Sequence, residues 1–314
     1  MKRSRFILRL KRAISFGLLF FGVAVLLVSS NVSFDRSLAS LSNFTRWDEF
    51  NFVSWVASAL VDKIASASLG LEHYISDEQQ SEIVLTYLGQ LEKVQTLENY
   101  LEELNFAPES GGANEEQQES YEEFLAESVR MHQYRRIAEQ ILQNQTERAL
   151  VGMGFGVGGQ ILPPLLFEVT DLPLNLIVSA RDQIGTLKSV SLEAGMDALE
   201  KERLENAIFQ ELNLSALVEP VGGIGAYPTM VMRSTSINWL TEVIAHEWIH
   251  NYLSFFPLGV RYFQDDQLRS MNETTANLAG IEVGRWVMIR FYPAYTQLYY
   301  QPGRDPTTVR PEGF

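Results

Sequence analysis

Two histidines four residues apart, with a glutamate directly after the first, stand in the run IAHEWIHNYL, residues 244–253. On a helix, positions i and i+4 share a face. His246 and His250 can therefore present both imidazoles to one metal ion. Glu247 can then reach a water beside that metal rather than the metal itself, which is the physical content of an H-E-x-x-H arrangement. The helix predicted over residues 237–254 is otherwise apolar around most of its circumference, through Ile237, Leu240, Ile244, Trp248 and Leu253 among others. A helix of that kind is buried, and buried imidazoles need partners. Coordination supplies one for each; hydrogen bonds to the backbone are the plainer alternative. The polar stripe of this helix is Glu242, His246 and His250, at i, i+4 and i+8.

A catalytic zinc site takes three protein ligands and a structural one takes four. The chain has no cysteine, so thiolate ligands, disulfides and a cysteine nucleophile are all excluded. Its other two histidines, His73 and His132, lie far upstream. The third ligand is therefore sought downstream, in RSMNETTANLAGIEVG, residues 269–284. Here Glu273 is read as opening a second helix, with Asn277 one turn on along the same face. Glu273 completes a His2Glu set, and Asn277 can hydrogen-bond the other ring nitrogen of a ligand histidine. A competing role for Glu273 is that of a helix cap, because Ser270 and Glu273 have capping-box spacing. Asp265 and Asp266 are the rival carboxylates, placed in a polar loop.

HEWIH followed by NETTAN resembles the gluzincin zinc metallopeptidases, typified by thermolysin-like proteases and zinc aminopeptidases. The resemblance covers about residues 220–290. It implies His246, His250 and Glu273 as ligands of one Zn2+ per chain and Glu247 as general base. Asn277 falls where thermolysin-like enzymes place an aspartate that supports a ligand histidine; here it is the weaker orienting group. Twenty-two residues separate His250 from Glu273, a few more than in the best-known members. The resemblance also places AYPTMVM, residues 226–232, as the edge strand that pairs with an extended substrate. A donor to the oxyanion is needed. No histidine follows His250, which leaves Tyr262, Tyr292, Tyr295, Tyr299 and Tyr300 as candidates.

These residues must be positioned by a chain of 314 residues with formal net charge −14. The charge is uneven. Lys2, Arg3, Arg5, Arg9, Lys11 and Arg12 crowd the first twelve residues, which leaves 19 basic against 39 acidic side chains in the rest. A body so acidic repels nucleic acid, and no nucleic-acid partner is expected. After the basic cluster, residues 13–30 read AISFGLLFFGVAVLLVSS without a charge. That length suffices for a transmembrane helix. The basic flank keeps residues 1–12 in the cytoplasm and sends the body to the extracytoplasmic side. A cleaved signal peptide would share those features, and the body would then be secreted.

Residues 44–150 are expected to be helical, broken by the polar loop 107–120, and to form a subdomain that packs on the C-terminal half of the chain. GMGFGVGGQ, residues 152–160, contains Gly154-x-Gly156-x-x-Gly159. A dinucleotide fingerprint needs a strand before it and a helix after it. A helix precedes it, and Pro163 and Pro164 forbid a helix soon after, so a flexible connector is expected. The uncharged run 149–167 could also dip into a membrane, but five glycines, Gln160 and two prolines make it poorly suited to that. PLLFEVT and LNLIVSA, separated by DLP, carry a hairpin signal; residues 191–214 look helical, and Pro228 marks its strand as an edge.

The expected fold is α+β and mostly helical: a membrane anchor at 13–30, a helical region at 44–150, and a zincin-like domain at 160–314 with a small sheet and an active-site helix. The expected function is zinc-dependent hydrolysis of peptide bonds in a peptide or protein substrate. The alternative from another class is a membrane-anchored, non-catalytic scaffold that binds partners, with a structural or vestigial metal site.

Overall fold

The computed structural model describes residues 36–67, 75–104, 115–182, 185–221, 223–224, 226–262 and 264–299. The expected anchor at 13–30 lies outside them. No described helix is long and apolar enough to cross a membrane. In chain order the elements are α1 Arg36–Thr45, α2 Phe52–Ala67, α3 Asp77–Glu103, α4 Glu115–Gly152, β1 Gly156–Val157, β2 Gln160–Ile161, β3 Phe167–Thr170, β4 Leu174–Ser179, β5 Thr186–Leu192, α5 Ala198–Leu212, β6 Ser215–Pro220, β7 Gly223–Ile224, β8 Thr229–Met232, α6 Ile237–Leu253, α7 Pro257–Val260, α8 Asp266–Phe291 and α9 Pro293–Tyr299. The class is α+β, mostly helical with small sheets.

The chain forms two compact units, and neither follows the expected cut at 150–160: one holds residues to Asn51 with Pro173–Val221, the other Phe52–Leu172 with Gly222–Phe314. In the first unit, β4 is flanked on both sides by antiparallel partners, β5 and β6. Leu174, Leu176 and Val178 alternate along β4 and bury against Leu41 of α1 and Leu204 and Ile208 of α5. The helix α5 begins with a reciprocal capping box between Asp197 and Glu200 and ends at Asn213, whose φ of 54° is left-handed. The helix expected over 191–214 starts only at Ala198, because β5 runs on through Leu192.

The second unit carries the candidate site. Its core joins Val84, Tyr87 and Leu91 of α3, Ile141 and Leu142 of α4, and Ile244, Trp248 and Ile249 of α6. The helical region and the H-E-x-x-H helix therefore share one core. The N-terminus of α3 is capped by Ser76 and Gln79. Arg148 of α4 forms a two-pronged pair with Asp77 at 2.7 and 3.1 Å. Between α4 and the sheet, Gly156–Val157 and Gln160–Ile161 pair as an antiparallel hairpin around Gly158 and Gly159. Both turn glycines have positive φ, 62° and 80°, which a tight hairpin turn demands and only glycine adopts freely. The expected flexible connector is an ordered turn.

Two strand expectations are corrected. β3 and β4 are not a hairpin: β3 pairs in parallel with β8, and β4 belongs to the other sheet. The Asp171–Pro173 segment is a passage between sheets, because the true partner of β3 lies some sixty residues downstream in sequence. Nor is β8 an edge. The order is β3-β8-β7, with β8 central. Pro228 precedes the first paired residue, Thr229, so it costs the ladder no N–H donor.

Candidate metal centre

The helix α6 starts at the Ser236 cap, whose hydroxyl accepts from the Trp239 N–H at 3.3 Å. Its apolar girth is seated by Trp248, whose indole N–H donates to the Pro163 carbonyl at 2.8 Å. Asn251 ties the same helix to β8 through the Thr229 hydroxyl at 3.1 Å. With α6 so fixed, its polar stripe faces α8. The two helices approach closely at Gly280 and Gly284. A Cβ at Gly280 would lie 2.8 Å from the Glu242 carbonyl oxygen and 3.1 Å from the His246 Cβ. A Cβ at Gly284 would lie 2.6 Å from the Glu242 Cγ. Only glycine lets the backbones meet there, and that approach carries Glu273 to the histidines.

The helix α8 begins earlier than expected. Asp265 caps it, accepting from the N–H groups of Gln267 and Leu268. Glu273 is therefore inside the helix and no part of a capping box with Ser270. Its Oε2 lies 3.6 Å from His246 Nε2 and 3.4 Å from His250 Nε2, and the two ring nitrogens are 2.9 Å apart. One ligand atom from each of the three residues falls within 4.8 Å of the others. Ligands of a tetrahedral zinc at about 2.0–2.1 Å stand roughly 3.3 Å from one another, so the spacing fits one such ion. Asp265, a rival carboxylate, is committed to its helix cap.

The tautomer of His250 also fits. Its Nδ1 lies 2.6 Å from Asn272 Oδ1. The Asn272 amide nitrogen donates to the Leu258 carbonyl at 3.2 Å, which fixes the oxygen toward the ring. An oxygen can only accept, so Nδ1 carries a proton, and Nε2, which faces Glu273, is the nitrogen from which a metal would displace the proton. The supporting residue is thus Asn272, which is buried, and not Asn277, which is exposed. The loop that supplies the Leu258 carbonyl depends on Gly259, where a Cβ would sit 2.3 Å from the Leu253 carbonyl oxygen. Asn272 escapes sequence reasoning that looks for the supporting residue one turn after Glu273, because its partner carbonyl comes from the separate turn at Leu258. The signal available was its place directly before the candidate glutamate Glu273.

Electrostatics mark this cluster. Hydrogen bonds from His246 and His250, with a further one from Tyr262, hold the Glu273 carboxyl far below the usual carboxylate range against the effect of burial. For His250, burial pulls the imidazole down, but Glu273, Glu247 and Asn272 outweigh it and leave it raised. Burial pushes the Glu247 carboxyl up, while the His250 and His246 imidazoles pull it partly back. Glu247 is only 8% exposed. The Glu247 carboxyl thus lies buried beside two imidazoles, with burial favouring its protonated form.

Of the five candidate tyrosines, Tyr262 reaches the cluster: its hydroxyl donates to Glu273 Oε1, and its ring centre lies 6.1 Å from that of His250. Tyr292 is buried elsewhere and donates to Gln145 at 2.8 Å. Tyr295 lies in α9 beyond it. The Tyr299 side chain and Tyr300 lie outside the described residues. His132 is exposed on α4, and His73 also lies outside the described residues.

No protein-family model, curated protein or solved structure matches this chain. The reading of the centre therefore rests on its own residues.

Proposed function

We propose that this protein is a zinc-dependent hydrolase of peptide bonds, of gluzincin type. The observation that carries the reading is the convergence of His246, His250 and Glu273, with Glu247 buried beside them. His246 and His250 through Nε2 and Glu273 through a carboxylate oxygen would hold one Zn2+. Bound there, zinc supplies Lewis acidity, which polarises a carbonyl and makes water a nucleophile at neutral pH. Glu247 takes the proton from the attacking water and returns it to the leaving amine. Asn272 orients the His250 ring. Tyr262, whose hydroxyl donates to Glu273 Oε1 in this structure, would donate to the developing oxyanion by exchanging that acceptor. In the proposed arrangement, residues 13–30 anchor the chain and the site faces the extracytoplasmic side, toward peptide or protein substrates. Because β8 is central, main-chain pairing of the substrate with it is no part of this proposal.

Two linked measurements test it. Elemental mass spectrometry of purified wild type beside His250→Ala is expected to give about one zinc per chain in the first and little in the second. Cleavage of a peptide library should then be abolished by Glu247→Gln at unchanged zinc content. A folded wild type that takes up no added zinc overturns the hydrolase reading in favour of a non-catalytic scaffold.

A further inference from the structure

The turn between α6 and α8 carries an unusual surface. Phe255 is 64% exposed, Phe256 43% and Val260 63%, all within six residues. Exposed apolar side chains are ordinary when scattered; here two aromatics and a valine project from one short turn. The turn is shaped by α7, Pro257–Val260, and by the close approach of Gly259 to the Leu253 carbonyl, which leaves no room for a Cβ. Phe256 packs on Tyr252 of α6 with ring centres 5.0 Å apart. The same turn supplies the Leu258 carbonyl that orients Asn272, and through it His250. The apolar prow is thus linked to the candidate metal centre through the Leu258–Asn272–His250 hydrogen bonds.

Charge narrows what meets this prow. The chain is strongly acidic, yet residues 248–264 contain no acid and one arginine, Arg261. Arg261 is exposed beside Val260. Asp265, also exposed, follows four residues later at the α8 cap. Two exposed phenylalanines and a valine with an adjacent cation suit the boundary between lipid headgroups and acyl chains. The N-terminus offers a reason for a bilayer to be near: six cations followed by eighteen uncharged residues at 13–30.

We propose that the turn Phe255–Arg261 inserts shallowly into the surface of a lipid bilayer, with Phe255, Phe256 and Val260 among the acyl chains and Arg261 at the headgroups. The contact rests on the expected anchor and not on the hydrolase reading. Its consequence for that reading is a substrate class: peptide segments lying at the membrane surface, presented to a site held beside the headgroups.

The absence of native cysteine makes the test clean. Full-length single-cysteine variants Phe255→Cys, Val260→Cys and Val157→Cys, the last at a position 82% exposed in the β1 turn, are labelled with a polarity-sensitive dye. Each is reconstituted into vesicles of phosphatidylcholine and phosphatidylglycerol that contain brominated acyl chains. The expected result is a blue-shifted dye with several-fold stronger lipid quenching at 255 and 260 than at 157. Equal, weak quenching at all three positions in vesicle-bound protein overturns the proposal. So does a chain that stays off vesicles. Blue shift without lipid quenching, accompanied by energy transfer between labelled chains, overturns it in favour of a second copy on the prow. Zinc content, measured on the same preparations, reports separately on the hydrolase reading.

Discussion

The Oδ1 of Asn272 lies 2.6 Å from Nδ1 of His250, while the same amide donates to the Leu258 carbonyl at 3.2 Å. Asn272 therefore cannot turn its nitrogen toward the ring without losing both bonds. The outcome is a fixed His250 ring, with a proton on Nδ1 and Nε2 facing His246 and Glu273.

That relationship separates two asparagines on one helix. Asn272→Ala is expected to weaken zinc binding by about 10–100-fold, the usual effect of removing a partner that orients a ligand. Asn277→Ala should leave it unchanged, because Asn277 is exposed. Competition with a chromogenic chelator measures both. Equal affinities for the two variants would remove Asn272 from the site.

The α6–α8 crossing gives a second test. At Gly280 and Gly284 an added methyl meets backbone atoms of Glu242 at 2.8 and 3.0 Å. A packed helix backbone cannot shift cheaply, so Gly280→Ala and Gly284→Ala are each expected to cost about 1–3 kcal/mol despite better helix propensity. Gly280→Ala should also lower zinc affinity, since its methyl presses on the His246 Cβ. Gly89, exposed on α3, has open space around it. There the propensity gain stands alone, and Gly89→Ala should stabilise by about 0.5–1 kcal/mol. Urea unfolding of the three variants decides the matter; a stabilising Gly280→Ala would contradict the close crossing.

The pattern of success follows the range of the forces involved. The helix α6 was legible because its apolar girth and its His246–His250 spacing are local properties, and Glu273 was legible because a two-histidine set needs a carboxylate. Asn272 was not, since its role depends on where α8 begins and on a carbonyl fourteen residues away, at Leu258. The cap at Asp265 moved that start upstream and removed Glu273 from the capping position. The strands failed for the same reason. Phe167 pairs with Thr229 across a long span of sequence, and no local signal in DLP could reveal that β3 and β4 part company there. The centrality of β8 was hidden by Pro228, which falls just before the ladder instead of within it.

A third prediction concerns the carboxylate that ties the start of α3 to α4. Asp77, which pairs with Arg148 and Arg290, is pulled below its ordinary value of 3.8 by the hydrogen bond from Arg148, against burial. A depressed carboxylate stabilises above its unfolded pKa and loses that contribution as pH falls through its folded one. Asp77→Asn should therefore cost about 1 kcal/mol at neutral pH, and the gap to wild type should narrow only as pH falls below about 3.8, toward the depressed folded value. Denaturant titrations at about pH 7 and about pH 3.5 check it.

Glu242 behaves in the opposite sense. It lies on the polar stripe of α6 against the glycines of α8, and burial raises its carboxyl from 4.5 to about 7, partly offset by a hydrogen bond from Asn238 at 2.8 Å. The folded protein thus keeps this proton at pH values where the unfolded chain has released it. Between about pH 4.5 and 7 the folded state binds more protons than the unfolded state, so stability falls as pH rises through that window and levels off above it. Glu242→Gln retains an acceptor for Asn238 and carries no charge. It should match wild type below about pH 4 and exceed it by up to about 2–3 kcal/mol at pH 8. Urea unfolding across that range, with chelator present to keep metal out of the balance, measures the difference. A variant less stable than wild type at about pH 8 would mean that the Glu242 charge has a partner, and that the crossing is held by an ion pair in place of a buried acid.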